Sequence, residues 1–311
     1  MAGSIEHSGR PIMLRWRLAL GILIVAALVG VAWLDHLAEV RYPAIPVGAW
    51  LLPVAVFFAV AATREVLHLA AAGGIHPVSW AVYGGNLLLV LSGWLPPLDS
   101  AGAQAAPLAA RTVWPLLALA VGVMLVLASE MSRYRKPGGV TVSVAAAVFT
   151  LVYVGLMLSL AVQLRMAKGV AALASLLIVV KMADTGAYLV GRLIGLHQMA
   201  PVLSPRKTVE GALGALVFAC LASWVTFHWL VPLMAPATAK PEPWRWLLFG
   251  LLLSTAGMLG DLAESLLKRD VGLKDSSRWL PGLGGVLDLL DSLLLAAPIA
   301  WFCWAVGLVG R

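Results

Sequence analysis

Apolar runs of about 20 residues recur along the whole of this 311-residue chain. A run of that length crosses the roughly 30 Å hydrocarbon core of a bilayer as an α-helix. Hydrophobic residues make up 61% of the sequence, and the mean hydropathy is +0.93, far above that of soluble globular proteins. The sequence therefore predicts an all-α, polytopic integral membrane protein. About nine spans are predicted, at residues 16–34, 44–62, 78–95, 112–128, 140–163, 169–191, 208–233, 244–262 and 284–307.

The distribution of lysine and arginine predicts how these spans are oriented. The N-terminal segment and the connections after the second, fourth, sixth and eighth spans hold 14 of the 22 lysines and arginines, against 7 on the opposite side. Cytoplasmic connections are enriched in these residues. We therefore expect a cytoplasmic N-terminus, with the connections after the sixth and eighth spans on the same side. No nucleic-acid motif accompanies the net charge of +7, so no nucleic-acid partner is expected.

The connection between the last two spans is rich in charge for so apolar a chain. Asp261, Glu264 and Lys268 have the spacing of residues that share one face of a helix, and Asp288 and Asp291 are spaced i, i+3 on the next apolar segment. Carboxylates suit Mg²⁺, which takes one or two of them together with water and substrate phosphates. The pattern predicts a divalent-cation site. A solvated loop between two helices is the alternative interpretation.

Two ionisable residues lie at the end of the sixth span. Asp184 and Lys181 are one helical turn apart after a strongly apolar run. An ionisable residue inside a membrane helix costs about 2.5–3.5 kcal/mol on insertion scales and is a functional candidate for that reason. A mutually satisfied structural pair is the alternative. The glycines that follow, such as Gly186, permit either close helix packing or close approach of the backbone to a ligand.

The segment SPRKTVEG, which begins at Ser204, predicts an anion-binding helix start. Its serine and proline are expected to open a turn, and its arginine and Lys207 are adjacent cations. Thr208 is placed to cap the helix that follows, with Glu210 in the first turn. Backbone N–H groups at such a helix start attract anions. An ordinary capped helix with cytoplasmic cations would have the same sequence.

These segments together resemble the integral-membrane phosphatidate cytidylyltransferases, or CDP-diacylglycerol synthases. The family signature is serine, two residues, Lys-Arg, four residues, Lys-Asp, then Pro-Gly-His-Gly-Gly, then Asp-Arg-x-Asp. Leu283 replaces the usual histidine and Leu289 the usual arginine. The matching positions are Ser265, Lys268, Arg269, Lys274, Asp275, Pro281, Gly282, Gly284, Gly285, Asp288 and Asp291.

The resemblance implies that phosphatidic acid attacks the α-phosphate of CTP to give CDP-diacylglycerol and pyrophosphate. It implies Mg²⁺, with a second cation left open, a homodimer, and a bacterial inner-membrane location with the active site facing the cytoplasm. We assign metal binding to Asp261, Asp288 and Asp291. The catalytic assignments are Asp261, Asp288, Lys268, Lys274 and Asp275. The substrate-binding assignments are Ser204, Lys207, Thr208, Glu210, Arg269, Asp184 and Glu264.

The chain is predicted to divide into N-terminal membrane helices, residues 1–138, and a catalytic region, residues 139–311, with active-site loops at 192–208 and 263–284. Three other functions stay open at this point. A CTP-dependent kinase of a lipid alcohol would share the nucleotide and Mg²⁺. A catalytically diverged lipid-binding relative is compatible with Leu283 and Leu289. A secondary transporter would require inverted repeats and charges near the middle of its spans, neither of which is visible.

Overall fold

The computed structural model describes residues 10–42, 46–96, 108–236, 238, 240–277 and 284–310. These form ten α-helices and a two-stranded antiparallel hairpin. The helices are α1 (Arg10–Arg41), α2 (Leu52–Ala72), α3 (Ser79–Ser92), α4 (Leu108–Arg133), α5 (Val140–Thr150), α6 (Met157–Ile194), α7 (Val209–Val225), α8 (Val231–Met234), α9 (Pro243–Asp270) and α10 (Leu287–Ala305). The strands are β1 (Gln198–Ala200) and β2 (Ser204–Thr208), and π-helical turns at Leu151–Leu156 and Thr226–Leu230 join α5 to α6 and α7 to α8.

Each predicted span overlaps a helical segment. However, α2 begins at Leu52, later than the span predicted from residue 44, and the spans predicted at 140–163 and 169–191 share the continuous stretch Val140–Ile194. Within the described residues, six helical stretches are long and apolar enough to cross a membrane. The all-α, membrane-integral fold class is therefore confirmed, while the number of nine spans and the cytoplasmic N-terminus stay predictions. The six stretches are Leu52–Ala72, Arg111–Arg133, Val140–Ile194, Val209–Met234, Pro243–Asp270 and Leu287–Ala305.

The longest helical stretch reverses direction at Gly169. The backbone there has φ of 84° and ψ of 177°, which is not helical. Val154 belongs to the same core cluster as Leu287, at the start of α10, and the Asp184 Oδ2 atom lies 3.1 Å from the Ser292 Oγ atom, also near that start. A straight helix would separate residues 154 and 184 by roughly 45 Å. The two halves therefore run antiparallel, as the two separate predicted spans require.

Helix α10 lies at the centre of the bundle. One core cluster joins it to α6, α7 and α9, through buried residues such as Val179, Ala215 and Leu253. A second cluster joins it to α2 and to the first half of α6, through Ala59 and Leu158. Residues from both sides of the predicted boundary at 138 therefore share one core. The consequence is that α2 is packed where it can contact the segments around α10.

The glycines of α6 permit close packing against α7. A Cβ atom at Gly186 would lie 2.7 Å from the backbone oxygen of Gly214 and 2.6 Å from the Cβ atom of Phe218. No residue larger than glycine fits at those distances without a shift of the backbone. Close approach of this kind is how membrane helices gain packing contacts, because lipid supplies little hydrophobic drive between them. Of the two roles predicted for these glycines, the structure supports helix packing at Gly186.

A buried ion pair joins α1 to α6 at the end of the bundle away from Asp184. Arg165 is 2% exposed; its Nε donates to Oδ2 of Asp35 at 2.8 Å, and its Nη2 donates to Oε2 of Glu39 at 2.9 Å. It lies near the reversal at Gly169, which is about 22 Å along the helix from Asp184. These contacts fix the C-terminal end of α1. Arg165 is 130 positions from Asp35 and 126 from Glu39, so the sequence alone does not reveal the ion pair.

Replacing Arg165 with methionine is expected to destabilise the protein by about 3–5 kcal/mol, because two carboxylates would be left without their buried cation. The thermal unfolding midpoint in detergent should fall on the order of 10 °C. The matched control is methionine at the exposed Arg135, which should leave the midpoint unchanged. An equal midpoint for both variants would contradict a stabilising role for this pair.

Candidate active site

Three carboxylates converge where α9 crosses α10. Asp261 and Glu264 lie on one face of α9, and Asp291 lies in the second turn of α10. One oxygen from each falls within 4.8 Å of the other two. Gly260 makes the crossing this close, because a Cβ atom there would overlap the backbone carbonyl of Asp291 and lie 3.2 Å from the Cα atom of Ser292. We call these three residues the carboxylate cluster.

The carboxylate cluster is only partly compensated by the protein. Glu264 is 1% exposed, and its Oε1 atom is buried with no hydrogen-bond partner among the described residues. Asp291 is 7% exposed and accepts hydrogen bonds from Ser292, from the N–H at 2.6 Å and the hydroxyl at 2.9 Å. Negative charges at such separations repel strongly when they are shielded from water. The orphaned oxygen and the hard oxygen ligands fit a divalent cation such as Mg²⁺, and the side chain of Asp261, 40% exposed, leaves the site open to water and phosphates.

Lysines border the carboxylate cluster on two sides. The Nζ atom of Lys207, which belongs to β2, is 2.8 Å from Oδ2 of Asp261. The Nζ atom of Lys268 is 2.7 Å from Oε2 of Glu264 and 2.5 Å from Oδ1 of Asp288. The two stretches that the sequence singles out therefore meet in space. An ammonium group suits phosphate oxygens as a compact charge, so the cluster and its lysines form a site for a cation and a phosphate.

Asp288 lies beside the carboxylate cluster. Besides Lys268, it receives hydrogen bonds from the backbone N–H of Ser276 at 3.3 Å and from the N–H of Gly285 at 2.6 Å, and the hydroxyl of Ser276 lies 2.8 Å from its Oδ2 atom. Its oxygens are thus directed at the segment before α10. The assignment of Asp288 to metal binding stays a prediction, and the structure brings Glu264, assigned to substrate, into the group with Asp261.

The hairpin that carries Lys207 differs from the sequence prediction. Ser204 and Pro205 were expected to open a turn, but they begin β2, which pairs with β1 in a register that places Ala200 opposite Ser204. The turn lies at residues 201–203, before Ser204. Ser204 and the residues after it are in a strand because they pair with β1. The predicted cap is confirmed: the Thr208 Oγ1 atom accepts a hydrogen bond from the N–H of Gly211 at 3.1 Å.

Glu210 anchors the start of this hairpin. Its Oε2 atom accepts hydrogen bonds from the N–H groups of Leu196 at 3.1 Å and His197 at 3.2 Å, and its Oε1 atom is 2.6 Å from Nδ1 of His197. The carboxylate therefore fixes the connection between α6 and β1. These contacts order the loop that presents Lys207, and a direct substrate contact for Glu210 stays a prediction.

The predicted pair at the end of α6 is present. Lys181 Nζ is 3.1 Å from Asp184 Oδ2 and donates to the backbone carbonyl of Leu289 at 3.1 Å. The hydroxyl of Ser292 lies between two carboxylates, 3.1 Å from Oδ2 of Asp184 and 2.9 Å from Oδ1 of Asp291, and it donates its single proton to one of them at a time. Asp184 is thus linked to the carboxylate cluster through one serine. Its placement supports a role in orienting Asp291.

The remaining assigned residues lie at the edge of the site. Arg269 ends α9 and donates to the backbone carbonyls of Leu203 at 3.4 Å and Leu273 at 3.1 Å, which ties the hairpin turn to the segment after α9. Lys274 and Asp275 are exposed on that segment. The predicted loop at 263–284 is helical as far as Asp270. Leu283, which replaces the usual histidine of the family signature, lies outside the described residues.

Glu65 in α2 is a residue of this region that the sequence does not single out. It is 4% exposed and accepts a hydrogen bond from the hydroxyl of Ser277 at 2.7 Å. The hydroxyl of Ser276 lies 2.8 Å from Oε2 of Glu65 and 2.8 Å from Oδ2 of Asp288, and it donates its single proton to one of these two carboxylates at a time. Glu65 also accepts from the N–H groups of Val286 at 2.9 Å and Leu287 at 2.7 Å, at the start of α10. These N–H groups have no partner within the helix. Glu65 therefore caps α10 from 221 residues away.

Gly285 is required by the same arrangement. A Cβ atom there would overlap both the hydroxyl of Ser276 and the carboxylate of Glu65. The only sequence signal for Glu65 is a carboxylate placed two turns before the end of an apolar helix, beside Arg64. That pattern is also typical of a charge at the membrane surface, so its partner could not be identified.

A family model described as the cytidylyltransferase family matches residues 16–306. The chain belongs to this family. This chain is 34% identical over 261 residues to a protein from Mycobacterium bovis that is named phosphatidate cytidylyltransferase. The matched residues cover 81% of this chain and 79% of that protein.

Two further relatives of this cytidylyltransferase carry the same name. One, from Mycobacterium tuberculosis, is 34% identical over 261 residues, which cover 81% of this chain and 74% of that protein. The other, from Staphylococcus aureus, is 44% identical over 124 residues, which cover 39% of this chain and 44% of that protein. The resemblance found in the sequence motifs is therefore confirmed over most of the chain.

Proposed function

We propose that this cytidylyltransferase transfers the cytidylyl group of CTP to phosphatidic acid, giving CDP-diacylglycerol and pyrophosphate. The observation that carries the proposal is the carboxylate cluster with its lysines at one end of a membrane-spanning bundle. A cation site beside phosphate-binding lysines fits a reaction between two phosphates, one from water and one from lipid. Relatives that match most of the chain are named for this reaction.

In the proposed reaction an oxygen of the lipid phosphate forms a bond to the α-phosphorus of CTP. The bond from that phosphorus to the oxygen bridging the β-phosphate breaks, and its electron pair leaves with pyrophosphate. A phosphate monoester has a second pKa of about 6 and is largely dianionic at neutral pH. The attacking oxygen therefore needs no general base, and Leu283 in place of histidine is compatible with turnover.

Asp261, Glu264 and Asp291 would hold the cation in this proposal. Mg²⁺ bound there supplies charge neutralisation for the phosphates of CTP. The Nζ atom of Lys207 is buried 2.8 Å from Oδ2 of Asp261, where it would contact a nucleotide phosphate bound beside that carboxylate. Lys268 is held between Glu264 and Asp288, so its ammonium is fixed in direction before substrate binds. A second cation at Asp288 would have to displace Lys268.

The spans and the charge distribution of the protein support its proposed location. The protein is integral to a membrane, and the excess of lysine and arginine on one side supports a cytoplasmic active site. CTP is a cytosolic nucleotide, which agrees with that orientation. The bacterial inner membrane and a homodimer are further parts of the proposal that rest on the family resemblance.

The test is incubation of the detergent-purified protein with phosphatidic acid and Mg²⁺, with CTP labelled at either the α- or the γ-phosphate. We expect the α label to enter the lipid fraction, the γ label to stay in the aqueous fraction, and EDTA to abolish transfer. In a parallel incubation with a polyprenol in place of phosphatidic acid, transfer of the γ label to that lipid alcohol would support the kinase alternative instead. No transfer from a folded protein with any divalent metal would favour a diverged relative.

A further inference from the structure

A cavity of about 730 Å³ lies between α2 and the segment 273–277. Its α2 side is formed by Phe57, Val60, Arg64 and His68, which are spaced along one face of the helix. Lys274 contributes from the opposite segment. The carboxylate cluster is not part of this lining, so the cavity is distinct from the cluster.

The cavity changes from apolar to cationic along α2. Phe57 is 47% exposed and Val60 is 40% exposed, in the part of the helix farther from Ala72. Arg64 and His68 follow toward the end of α2 and are exposed, and Lys274 faces the same region. The distance along the helix from residue 57 to residue 68 is roughly 16 Å. That length spans from the headgroup region into the hydrocarbon, so the cavity fits an amphiphile with an anionic head.

The cavity shares one side with the active site. Glu65 and Ser276 both line it, and the hydroxyl of Ser276 lies 2.8 Å from Glu65 Oε2 and 2.8 Å from Asp288 Oδ2. Asp288 in turn holds Lys268, which contacts Glu264. A ligand in the cavity is therefore separated from the carboxylate cluster by a single hydrogen-bonded layer of side chains.

We propose that this cavity is where the lipid substrate first binds, with its monoester phosphate at Arg64, His68 and Lys274 and an acyl chain along Phe57 and Val60. Because the layer of Glu65, Ser276 and Asp288 lies between the cavity and the carboxylate cluster, the lipid phosphate must move past that layer before it attacks CTP. That the lipid is phosphatidic acid rests on the proposed function. Two permanent cations and a histidine suit a dianionic monoester better than a monoanionic diester.

Two carboxylates also line the cavity. Glu65 accepts hydrogen bonds from Ser277 and from two N–H groups at the positive start of α10, and it shares the hydroxyl proton of Ser276 with Asp288. Asp275 is exposed to solvent, where water screens its repulsion of an anion. The lining therefore holds the cations Arg64 and Lys274 together with His68, against one carboxylate that is hydrogen-bonded and one that is exposed to water.

The test is photo-crosslinking of the full chain in detergent with phosphatidic acid that carries a diazirine in its acyl chain, without CTP or metal. We expect the label on peptides that contain residues 57–68, displaced by unlabelled phosphatidic acid and poorly by phosphatidylglycerol. Arg64→Gln and Lys274→Gln should each weaken labelling about tenfold, since a charge-assisted hydrogen bond contributes about 1.5–3 kcal/mol. Arg135→Gln is the matched control.

A second variant keeps the cations and fills the apolar part. Val60→Trp should abolish labelling of the same peptides while the protein keeps its unfolding midpoint. Labelling confined to other helices, equal displacement by the diester, or no change in any of the three variants would overturn the proposal. Because no turnover is measured, labelling of α2 in a protein that forms no CDP-diacylglycerol would overturn the proposed function and leave the lipid site standing.

Discussion

Replacing Asp261 or Asp291 with asparagine is expected to lower the rate of CDP-diacylglycerol formation roughly a thousandfold, with the protein still inserted and folded. Each variant removes one negative charge from the carboxylate cluster. Neutralisation of transferring phosphates by a bound cation contributes several kcal/mol, and each 1.36 kcal/mol of barrier is a factor of ten in rate. The measurement is kcat at saturating CTP over a titration of Mg²⁺, in which both variants should need more Mg²⁺ for half-maximal rate.

Asp288→Asn separates the two assignments of the metal site. Since Asp288 contacts Lys268, Ser276 and Gly285, we expect its variant to lose rate without a change in the Mg²⁺ concentration that gives half-maximal activity. A shift as large as that of Asp261→Asn would place Asp288 on the metal, as the sequence predicts. The control is Asp270→Asn, an exposed carboxylate at the end of α9. Full activity of Asp261→Asn and Asp291→Asn would contradict the metal site.

Most of the fold is predictable because the membrane imposes it. A chain in lipid must satisfy its backbone hydrogen bonds within each span, so apolar length alone locates the helices. Even the reversal at Gly169 is visible as a short break between two apolar runs. The hairpin of β1 and β2 is not, since its short polar strands show no alternation, and their pairing depends on residues such as Glu210 that hold the connection before β1.

Half of the candidate site follows from helical spacing. Asp261 and Glu264 share a face of α9 in any α-helix, and Asp288 and Asp291 share a face of α10. Helical spacing alone does not show whether Asp288 or Asp291 faces α9. That choice is made by the close crossing at Gly260, whose Cβ would overlap the backbone of Asp291. In the structure Asp291 is therefore the third member of the carboxylate cluster, and Asp288 forms an ion pair with Lys268.

The residues that sequence reasoning missed are joined to distant partners. Arg165 and Asp35 are 130 positions apart, and Glu65 and Leu287 are 222 apart. A single charge near the end of an apolar helix is compatible with the membrane surface, and no local pattern reveals a partner in another helix. Burial distinguishes the two cases: Glu65 is 4% exposed although it adjoins the exposed Arg64.

Glu65→Gln is expected to lower kcat about a hundredfold, the upper range for residues that orient a metal or phosphate site through their neighbours. A glutamine amide offers one accepting oxygen where the carboxylate has two, and its NH₂ would face donors. Each buried donor left unsatisfied costs about 1–3 kcal/mol. The affected groups are the hydroxyl of Ser276, which also contacts Asp288, and the N–H groups at the start of α10. We therefore expect Asp288 and Lys268 to lose their fixed positions.

The measurement must distinguish positioning from simple loss of stability. At a temperature well below the unfolding midpoint of the variant, kcat should be reduced while the KM for CTP and the Mg²⁺ requirement stay within about twofold, because Glu65 contacts neither ligand in the proposed site. Ser277→Ala removes one of the four donors and should cost less than tenfold. Glu242→Gln, at a side chain that is 65% exposed, is the matched control. Wild-type kcat in Glu65→Gln would show that α10 is positioned without its distant cap. The hydrogen bonds of Glu65 and Ser276 between the lipid cavity and the carboxylate cluster would then have no part in turnover.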